Sequence, residues 1–305
     1  MIIVKVIGGL GNQMFQYATA RAISLHTKQA FKLDTSDFAT YEHHEYSLDH
    51  FKIIENIASE KEIFKYKKYS IFLDRLPKSV SRVVKKLQLD RALLTFGKYK
   101  KEYDFPFNES IKNTSGDAYL DGYWQTEKYF SEIRDTLKKD FSIKGSLGKE
   151  GADLAQKIRS TKNPICLHIR RGDFADKPEQ AKFHGLCSMD YYYKAVELMA
   201  EKVPNPHFFI FSDSIDWVKS NFKIPHPMTF NGQGAAKNYE DITLMSYCKH
   251  HILSNSTFGW WGAWLGETKG QVVIAPHKWF NKPMDIRDLM PDRWIKLDRE
   301  TGEKI

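Results

Sequence analysis

The sequence predicts an α/β protein with two domains. Its 305 residues correspond to two domains at about 150 residues each. Short apolar strand patterns alternate with helical patterns in both halves of the chain, which is typical of parallel sheets covered by helices. Polar residues follow each strand of the second half, and in open parallel sheets the ligand binds beyond the carboxyl ends of the strands.

The first domain is predicted over residues 1–150. It opens with a buried strand, residues 2–7, followed by a glycine-rich turn, a helix and a second strand, which is the usual start of an α/β domain. Residues 126–140 are predicted as a helix. The small and charged residues 144–151 are predicted as the linker between the domains.

Residues 55–101 are predicted as a basic helical insertion in the first domain. From Lys61 to Lys101 there are thirteen Lys and Arg against three Asp and Glu, whereas the whole chain carries only +8. Such a local excess is consistent with a solvated helical face or with a surface for anionic lipid, which the interleaved Phe64 and Phe72 favour. No nucleic-acid recognition motif accompanies the charge, so nucleic acid is not an expected partner.

The second domain is predicted over residues 151–305. Its strands include residues 164–169 and 207–211, and each is followed by polar or charged side chains. Because all these side chains follow parallel strands, they should line one edge of the sheet.

The composition indicates the cellular compartment and argues against disulfide bonds, a structural zinc site and a membrane span. Three cysteines without a CxxC pair predict neither a disulfide framework nor a structural zinc site. No window approaches the roughly 20 apolar residues of a membrane span, and no signal peptide is evident. We therefore expect a cytoplasmic protein.

The turn Gly8-Gly9-Leu10-Gly11-Asn12-Gln13 resembles a dinucleotide fingerprint but lacks its last glycine, where Met14 stands. Glycines allow close approach of a ligand to the backbone, and the helix that follows offers N–H groups to anionic or polar groups. We expect Gly9, Gly11, Asn12 and Gln13 to face an anionic or sugar ligand. The alternative is a tight strand-to-helix turn without a ligand.

A second motif, His168-Ile169-Arg170-Arg171-Gly172-Asp173, places adjacent arginines at the end of a strand. One guanidinium can bind a diphosphate through two parallel hydrogen bonds, and the other is expected to pair with Asp173 or a neighbour. A surface ion-pair cluster is the alternative.

Two more segments add hydroxyl, amide and carboxylate groups. Ser254, Asn255, Ser256, Thr257 and Phe258 lie between a strand and a helix, where they can cap that helix and bind phosphate oxygens. The three tryptophans that follow are expected mainly in the core. Asp213 can accept from a guanine edge or from ribose hydroxyls, or it can cap a helix.

Absent motifs also inform the prediction. The sequence contains neither an Asp-x-Asp pair nor HExxH, so arginines and a helix N-terminus would have to neutralise a leaving diphosphate. No metal and no cofactor are expected.

Four segments in this order, GGLGNQMFQYA, HIRRGDF, HGLCSMDYYYKA and SNSTFGWWGAWL, resemble the α-1,2-fucosyltransferases of glycosyltransferase family 11. The resemblance covers essentially the whole chain. It implies a GT-B-like fold, with two Rossmann-like domains facing each other across a cleft. It also implies GDP-L-fucose as donor, a terminal β-galactoside as acceptor, inversion at fucose C1 and no required metal.

The resemblance also suggests a role for each domain. The first domain would serve the acceptor, and the second would bind GDP-fucose. Arg170 would contact the β-phosphate, with His168 and Asp213 at the guanine or ribose. The diphosphate would be supported by Ser254, Ser256, Thr257 and the Phe258 amide.

Several alternatives remain open at this point. Candidates for a general base are Asp173 and His184, although Asp173 could instead orient Arg171 and His184 could cap the helix that begins near Met189. Another GDP-sugar as donor and a non-catalytic nucleotide- or glycan-binding protein are the alternative functions. An O-antigen glycan is the expected acceptor setting, and the basic insertion suggests a peripheral position at the inner face of the cytoplasmic membrane.

Overall fold

The structure is a computed structural model that describes residues 1–40, 44–172, 178–231 and 237–305. Contacts within the chain divide it into two units. The first comprises Met1–Asp49, Ile53–Asp140 and Arg287–Leu289, and the second comprises His50–Lys52, Phe141–Ile286 and Met290–Ile305. The predicted linker thus lies inside the second unit.

Aromatic packing explains this early start of the second unit. The ring of Phe141 lies 5.9 Å from that of Phe51 and 5.2 Å from that of Trp261, as centroid distances. These contacts hold the chain to the second core from residue 141 onward, so the polar segment 144–151 does not act as the boundary.

The first unit is built on a four-stranded parallel sheet with the order β2-β1-β4-β3. The strands are β1 (Ile2–Lys5), β2 (Phe31–Asp34), β3 (Tyr99–Lys101) and β4 (Ala118–Asp121). Its helices are α1 (Leu10–Thr27), α2 (Glu60–Asp74), α3 (Lys78–Lys86), α4 (Leu89–Phe96), α5 (Glu109–Lys112) and α6 (Arg134–Asp140). Helices α2 to α4 occupy the predicted insertion, between β2 and β3.

The predicted helix over 126–140 is only half formed. Two short 3₁₀ turns, Glu127–Tyr129 and Ser131–Ile133, precede α6. Phe130 between them has an extended φ of −143°, which interrupts the helical ladder, and its side chain is buried. Burial of this ring therefore prevails over local helix propensity.

The second unit is built on a six-stranded parallel sheet with the order β10-β9-β8-β5-β6-β7. The strands are β5 (Pro164–Ile169), β6 (His207–Ser212), β7 (Met228–Phe230), β8 (His250–Ile252), β9 (Val273–Pro276) and β10 (Ile295–Leu297). Its helices are α7 (Lys149–Ser160), α8 (Pro178–His184), α9 (Met189–Lys202), α10 (Ile215–Asn221), α11 (Asn238–Ser246) and α12 (Thr257–Leu265).

The strand order of this second sheet determines where a ligand can bind. The chain runs from β5 outward through β6 to β7, then returns to the other side of β5 and continues outward from β8. The order therefore reverses between β5 and β8, and such a switch point opens a crevice at the carboxyl ends of the two strands.

Helix α12 is part of the core, as the sequence predicts for its tryptophans. Trp260, Trp261 and Trp264 are fully buried. Gly262 allows α12 to approach α11 closely, because a Cβ at this position would lie 2.7 Å from the Cβ of Met245.

Two further structural facts concern the cysteines and the helices. Cys166, Cys187 and Cys248 are buried thiols without disulfide bonds. In the four described ranges, every helix is too short or too polar to cross a bilayer.

We predict that Gly262→Ala lowers the free energy of unfolding by about 1–2 kcal/mol, because overpacking against Met245 outweighs the gain in helix propensity. Urea denaturation, monitored by tryptophan fluorescence, measures this change in the free energy of unfolding. Gly145→Ala is the control, since nothing lies within 4 Å of a Cβ there, and we expect a change below about 0.5 kcal/mol. Equal stability of the two variants would contradict the close approach of α11 and α12.

Candidate functional site

The second unit brings most of the predicted donor-binding residues to one place. The segment after β5 holds Arg170 and Arg171, the segment after β8 holds residues 254–257, and Asp213 follows β6. Because β5 pairs in parallel with both β6 and β8, all three segments meet at the switch point.

The side chain of His168, in β5, is hydrogen-bonded to the segment after β8. It is 3% exposed, and its Nδ1 is hydrogen-bonded to Ser254 Oγ at 3.0 Å. Burial, assisted by the nearby Arg170, lowers the pKa of His168 to about 3, so the ring is neutral at physiological pH. This geometry favours a positioning role, and the expected contact with guanine or ribose stays a prediction.

A glycine makes this connection possible. A Cβ at position 259 would lie 2.6 Å from His168 Nδ1, so only a glycine lets the first turn of α12 pack against the imidazole. The start of α12 is thereby fixed relative to the end of β5.

The carboxylate of Asp213 organises the two arginines. Asp213 Oδ2 lies 3.0 Å from Arg170 Nη1, and the backbone N–H of Arg171 donates to Asp213 Oδ1 at 2.9 Å. A Cβ at Gly172 would lie 2.4 Å from Asp213 Oδ2, which explains the glycine. The structure thus places the predicted phosphate ligand Arg170 and the predicted nucleoside ligand Asp213 in one ion pair.

Asp213 does not serve as the helix cap considered in the sequence analysis. Ser214 is the N-cap residue of α10, and no side chain bonds to this helix N-terminus as a cap. Ser214 Oγ instead accepts from the backbone N–H of Gly172 at 3.2 Å, a second bond between the turns after β5 and β6.

Arg171 lies on an aromatic ring. Its guanidinium carbon is 3.5 Å from the centroid of the Trp217 ring, a distance that indicates a cation–π contact. The other expected partner, Asp173, lies outside the described residues, and so does its proposed role as a base.

The motif after β8 divides into buried and half-exposed members. Ser254 and Asn255 are buried, whereas Ser256, Thr257 and Phe258 are partly exposed. Ser256 is the N-cap of α12, and its Oγ accepts from the Phe258 N–H at 3.3 Å. The predicted phosphate-binding groups at 256–258 therefore lie at the surface, on a capped helix N-terminus.

Asn255 holds the segment that carries His184. Its Nδ2 donates to the carbonyl oxygens of His184, Gly185 and Trp279 at 3.0–3.1 Å. Its Oδ1 accepts from the thiol of Cys187. The side chain of Asn255 is therefore fully engaged inside the protein, which favours a positioning role over donor binding.

His184 ends α8 and does not cap the following helix, because Ser188 is the N-cap of α9 and accepts from the Tyr191 N–H. The His184 carbonyl also accepts from Arg299 Nη1 at 2.7 Å. Arg299 is 2% exposed and donates to Asn281 Oδ1 as well. The end of α8 is thus held from three sides.

In the first unit, the glycine turn joins β1 to α1. Gly8 has a φ of +83°, and a Cβ there would lie 2.8 Å from Asn12 Nδ2, so this position needs glycine. Gly9 is the N-cap of α1, and Asn12 Oδ1 accepts from Gln125 Nε2 at 2.9 Å. Asn12 and Gly9 are half-exposed, whereas Gly11 is buried.

Two glutamines of α1 attach this turn to its surroundings. Gln13 Nε2 donates to the carbonyl oxygens of Gly8 and Glu45, both at 2.8 Å, and its Oε1 accepts from the Ser47 N–H. Gln16 binds the Ile7 N–H and the Gly122 carbonyl. Gln13 is fully buried and holds the turn, which favours a positioning role over the expected contact with a ligand.

Glu102 fixes the segment that carries Gln125. Its two carboxylate oxygens accept from the backbone N–H groups of Tyr123 and Trp124, at 2.6 and 3.0 Å. Trp124 has a left-handed φ of +56°. Burial raises the pKa of Glu102 to about 7, although the two N–H bonds oppose the shift.

Sequence reasoning missed Glu102, Trp217, Asn281 and Arg299. None stands in a motif: Trp217 lies in the helix after Asp213, whereas Glu102, Asn281 and Arg299 come from segments outside the motifs. Among the described residues no group of three or more His, Cys, Asp or Glu side chains is arranged to hold a metal ion.

The raised pKa of Glu102 predicts a pH-dependent stability. The folded protein holds the Glu102 proton more tightly than the unfolded chain, so unfolding free energy should fall as the pH rises from about 5 through about 7. Urea denaturation of the parent protein and of Glu102→Gln at several pH values between about 5 and about 7 measures how the difference in their unfolding free energies changes with pH. We expect the parent to lose stability relative to the variant as the pH rises; parallel pH profiles would contradict the assignment.

Comparisons with known proteins confirm the resemblance. The model of the family Glycosyl transferase family 11 matches residues 1–298. An α-1,2-colitosyltransferase of Escherichia coli is 32% identical over 98% of this chain and 99% of its own. The O-antigen biosynthesis glycosyltransferase WbnK of Escherichia coli is 33% identical over 95% and 98% of the two chains.

Human galactoside α-(1,2)-fucosyltransferase 1 is a more distant relative. It is 25% identical over 48% of this chain and 42% of its own.

Solved structures support the predicted fold. The Arabidopsis thaliana FUT1 structure in complex with GDP superposes with a TM-score of 0.51 at 13% identity, over 89% of this chain and 69% of that one. NodZ α-1,6-fucosyltransferase soaked with GDP-fucose gives 0.50 at 15% identity, over 87% and 92%. The α/β, GT-B-like class is thus confirmed. With a family match over nearly all its residues and two relatives above 30% identity, this chain belongs to glycosyl transferase family 11 and is a glycosyltransferase.

Proposed function

We propose that this enzyme transfers L-fucose from GDP-β-L-fucose to the 2-hydroxyl of a terminal β-galactoside, with inversion at C1 and without a metal ion. The observation that carries the proposal is the cationic turn at the switch point of the second sheet. There Asp213 pairs with Arg170 after β5, and the neighbouring strand β8 leads into the capped N-terminus of α12.

The names of the relatives support the reaction class. Two of them are an α-1,2-colitosyltransferase and a galactoside α-(1,2)-fucosyltransferase, and the NodZ crystals were soaked with GDP-fucose. An O-antigen glycan is the acceptor setting that we favour, because WbnK is named for O-antigen biosynthesis.

The second unit would stabilise the leaving diphosphate. As the bond between fucose C1 and the β-phosphate oxygen breaks, negative charge accumulates on that oxygen. Arg170 can supply charged N–H donors there, and Thr257 lies in the first turn of α12, whose dipole is favourable to an anion. Asp213 would act indirectly, by fixing the orientation of the Arg170 guanidinium before the donor binds.

The transfer itself is a single displacement. The acceptor oxygen forms a bond to C1 on the face opposite the departing GDP, which keeps the electron pair of the broken C1–O bond. The proton of the attacking hydroxyl passes to a base or to water. Because an oxocarbenium-like transition state makes C1 strongly electrophilic, weak base assistance is sufficient.

His184 and Asp173 are the proposed bases. The backbone of His184 is held by Asn255 and Arg299, and its ring contacts those of Phe183 and Phe280, with centroids 4.8 and 5.6 Å away. This rigid setting suits a side chain that must meet a hydroxyl in one orientation.

The first unit would serve the acceptor. Asn12 and Gly9 are half-exposed on the glycine turn, and Gln13, Gln16 and Gln125 hold that turn in place. Exposed backbone and amide groups on a rigid turn are suited to bind sugar hydroxyls.

A second donor has a specific observation in its favour. The similarity to an α-1,2-colitosyltransferase points to GDP-colitose, whose sugar is fucose without its 3-hydroxyl. A site that hydrogen-bonds this hydroxyl would reject the deoxy sugar strongly, whereas an apolar wall there would discriminate weakly.

We place the enzyme in the cytoplasm, at the inner face of the cytoplasmic membrane. The net charge of residues 61–101 favours attraction to anionic lipid.

Arg170→Ala should lower lactose-stimulated GDP release from GDP-fucose by about 10²–10³-fold, because a developing charge loses its main donor. The rate of GDP release by Arg170→Lys should lie between those of the parent protein and Arg170→Ala, since lysine keeps the charge but lacks the planar pair of donors. The assay is run with EDTA throughout.

Arg159→Ala is the matched control for that experiment. Arg159 also lies over an aromatic ring, that of Tyr247, but it belongs to α7 and not to the switch point. Unchanged release in Arg170→Ala would mean that the diphosphate binds elsewhere, and loss of activity with EDTA would contradict a metal-free reaction.

The donor is identified by kcat/KM for GDP-fucose and GDP-colitose on the same acceptor. We expect GDP-fucose to be preferred by about 10⁴-fold, because a site that hydrogen-bonds the 3-hydroxyl is left with an unpaired polar group when the deoxy sugar binds. A preference for GDP-colitose would overturn the donor and leave the reaction class unchanged.

A further inference from the structure

Helix α3 is unusual because it contributes no side chain to the interior. None of the nine residues Lys78–Lys86 is buried, although most helical stability in proteins comes from packing of an apolar face. The apolar residues of α3 therefore have no packing role inside the unit, and their presence needs another explanation.

Those apolar residues share one face. Val80, Val83 and Leu87 follow the i, i+3, i+7 spacing of a helical stripe, and Val84 lies beside them. Val83 is 56% exposed and Leu87 61% exposed. The opposite face carries Lys78, Arg82, Lys85 and Lys86, and the helix has no acidic residue.

The flanking helices repeat the pattern. In α2, Phe64, Lys68 and Phe72 stand at i, i+4 and i+8, and both phenylalanines are exposed. In α4, Leu89 and Phe96 are seven residues apart on one face, and Phe96 is 77% exposed. Each of the three helices therefore presents bulky apolar side chains together with basic ones.

The surface is also concave next to Phe64. A cavity of about 450 Å³ is lined by Ile63, Phe64 and Ile71, by Lys61 and Lys67, and by Ser36 and Glu60. Lys67 is paired with Asp34, so the apolar lining is what this cavity shares with the exposed helices.

We infer that α3, with the exposed faces of α2 and α4, forms an interfacial membrane-binding surface whose apolar stripe enters the headgroup region of an anionic bilayer. The headgroup region has a phosphate layer and, beneath it, the boundary with the acyl chains. Exposed Val, Leu and Phe can reach that boundary while the neighbouring Lys and Arg remain at the phosphates. A solvated helix needs no such stripe, and a nucleic acid offers no apolar layer. The inference is independent of the donor, so its failure would leave the proposed transfer reaction intact.

Vesicle flotation of the full chain tests this surface. We expect binding to phosphatidylcholine vesicles with about 30% phosphatidylglycerol at about 0.05 M salt, little binding to phosphatidylcholine alone, and weaker binding at about 0.5 M salt. The double variant Lys85→Glu with Lys86→Glu should lower the partition coefficient by at least about tenfold. No binding of the parent protein to anionic vesicles at low salt would overturn the inference.

A second pair of variants tests the apolar stripe. Val83→Asp with Leu87→Asp should also lose at least about tenfold in partitioning, and folding should persist because neither residue is buried. The controls are Leu25→Asp, an exposed apolar site in α1, and Lys202→Glu with Lys269→Glu in the second unit. Binding that survives in the stripe variant, or is lost equally in the controls, would contradict insertion through α3.

Insertion also has a direct optical readout. Leu87→Cys can be labelled selectively with an environment-sensitive dye, because Cys166, Cys187 and Cys248 are buried. We expect a blue shift with anionic vesicles and none with phosphatidylcholine alone. A self-association that the stripe variant abolishes, without vesicle binding, would assign the surface to a second copy and overturn the inference.

Discussion

The carboxylate of Asp213 is the constraint on which the candidate site depends. It neutralises one guanidinium and accepts a backbone N–H at the same time, so the turns after β5 and β6 form one rigid piece. Without it, Arg170 and Arg171 would repel each other at the end of a strand and lose a fixed orientation. A glycine at 172 is the steric consequence, because the carboxylate occupies the space of a side chain. Charge, turn geometry and glycine placement here follow from a single ion pair.

The first unit achieves similar rigidity with neutral groups. Three glutamine side chains connect the glycine turn to segments 45–47 and 122–125, and Glu102 fixes the second of these segments. Amides suit this purpose, because one side chain both donates and accepts, and a buried amide costs less to desolvate than a charge. Gln13 makes three such bonds. The turn can therefore present Asn12 in a defined orientation.

The sequence predicts the sheets and helices well where the apolar pattern is continuous. Strand β5 has the predicted limits and helix α9 begins at the predicted Met189, because a buried strand and an amphipathic helix each show their own period. The first half of the helix predicted over 126–140 does not form, because the buried ring of Phe130 interrupts it. The two units divide at residues 140 and 141, ahead of the predicted linker, where the ring of Phe141 packs into the second core. The roles within the site were harder to predict. Arg299 binds the His184 carbonyl 115 residues away, and Glu102 binds two N–H groups 21 and 22 residues away, so no local pattern marks either side chain.

Within each motif, neighbouring residues divide positioning from exposure. His168 is buried and Arg170 is half-exposed; Asn255 is buried and Ser256 is half-exposed; Gln13 is buried and Asn12 is half-exposed. In each case the side chain of the buried member is hydrogen-bonded to another segment of the protein and so holds the motif in place. A substitution at a buried member should therefore damage the geometry of the site and the stability together, whereas one at an exposed member should affect binding or turnover alone. A motif of this kind identifies a site but does not indicate which of its residues contact the ligand. Polar side chains are required both for holding the motif in place and for binding the ligand.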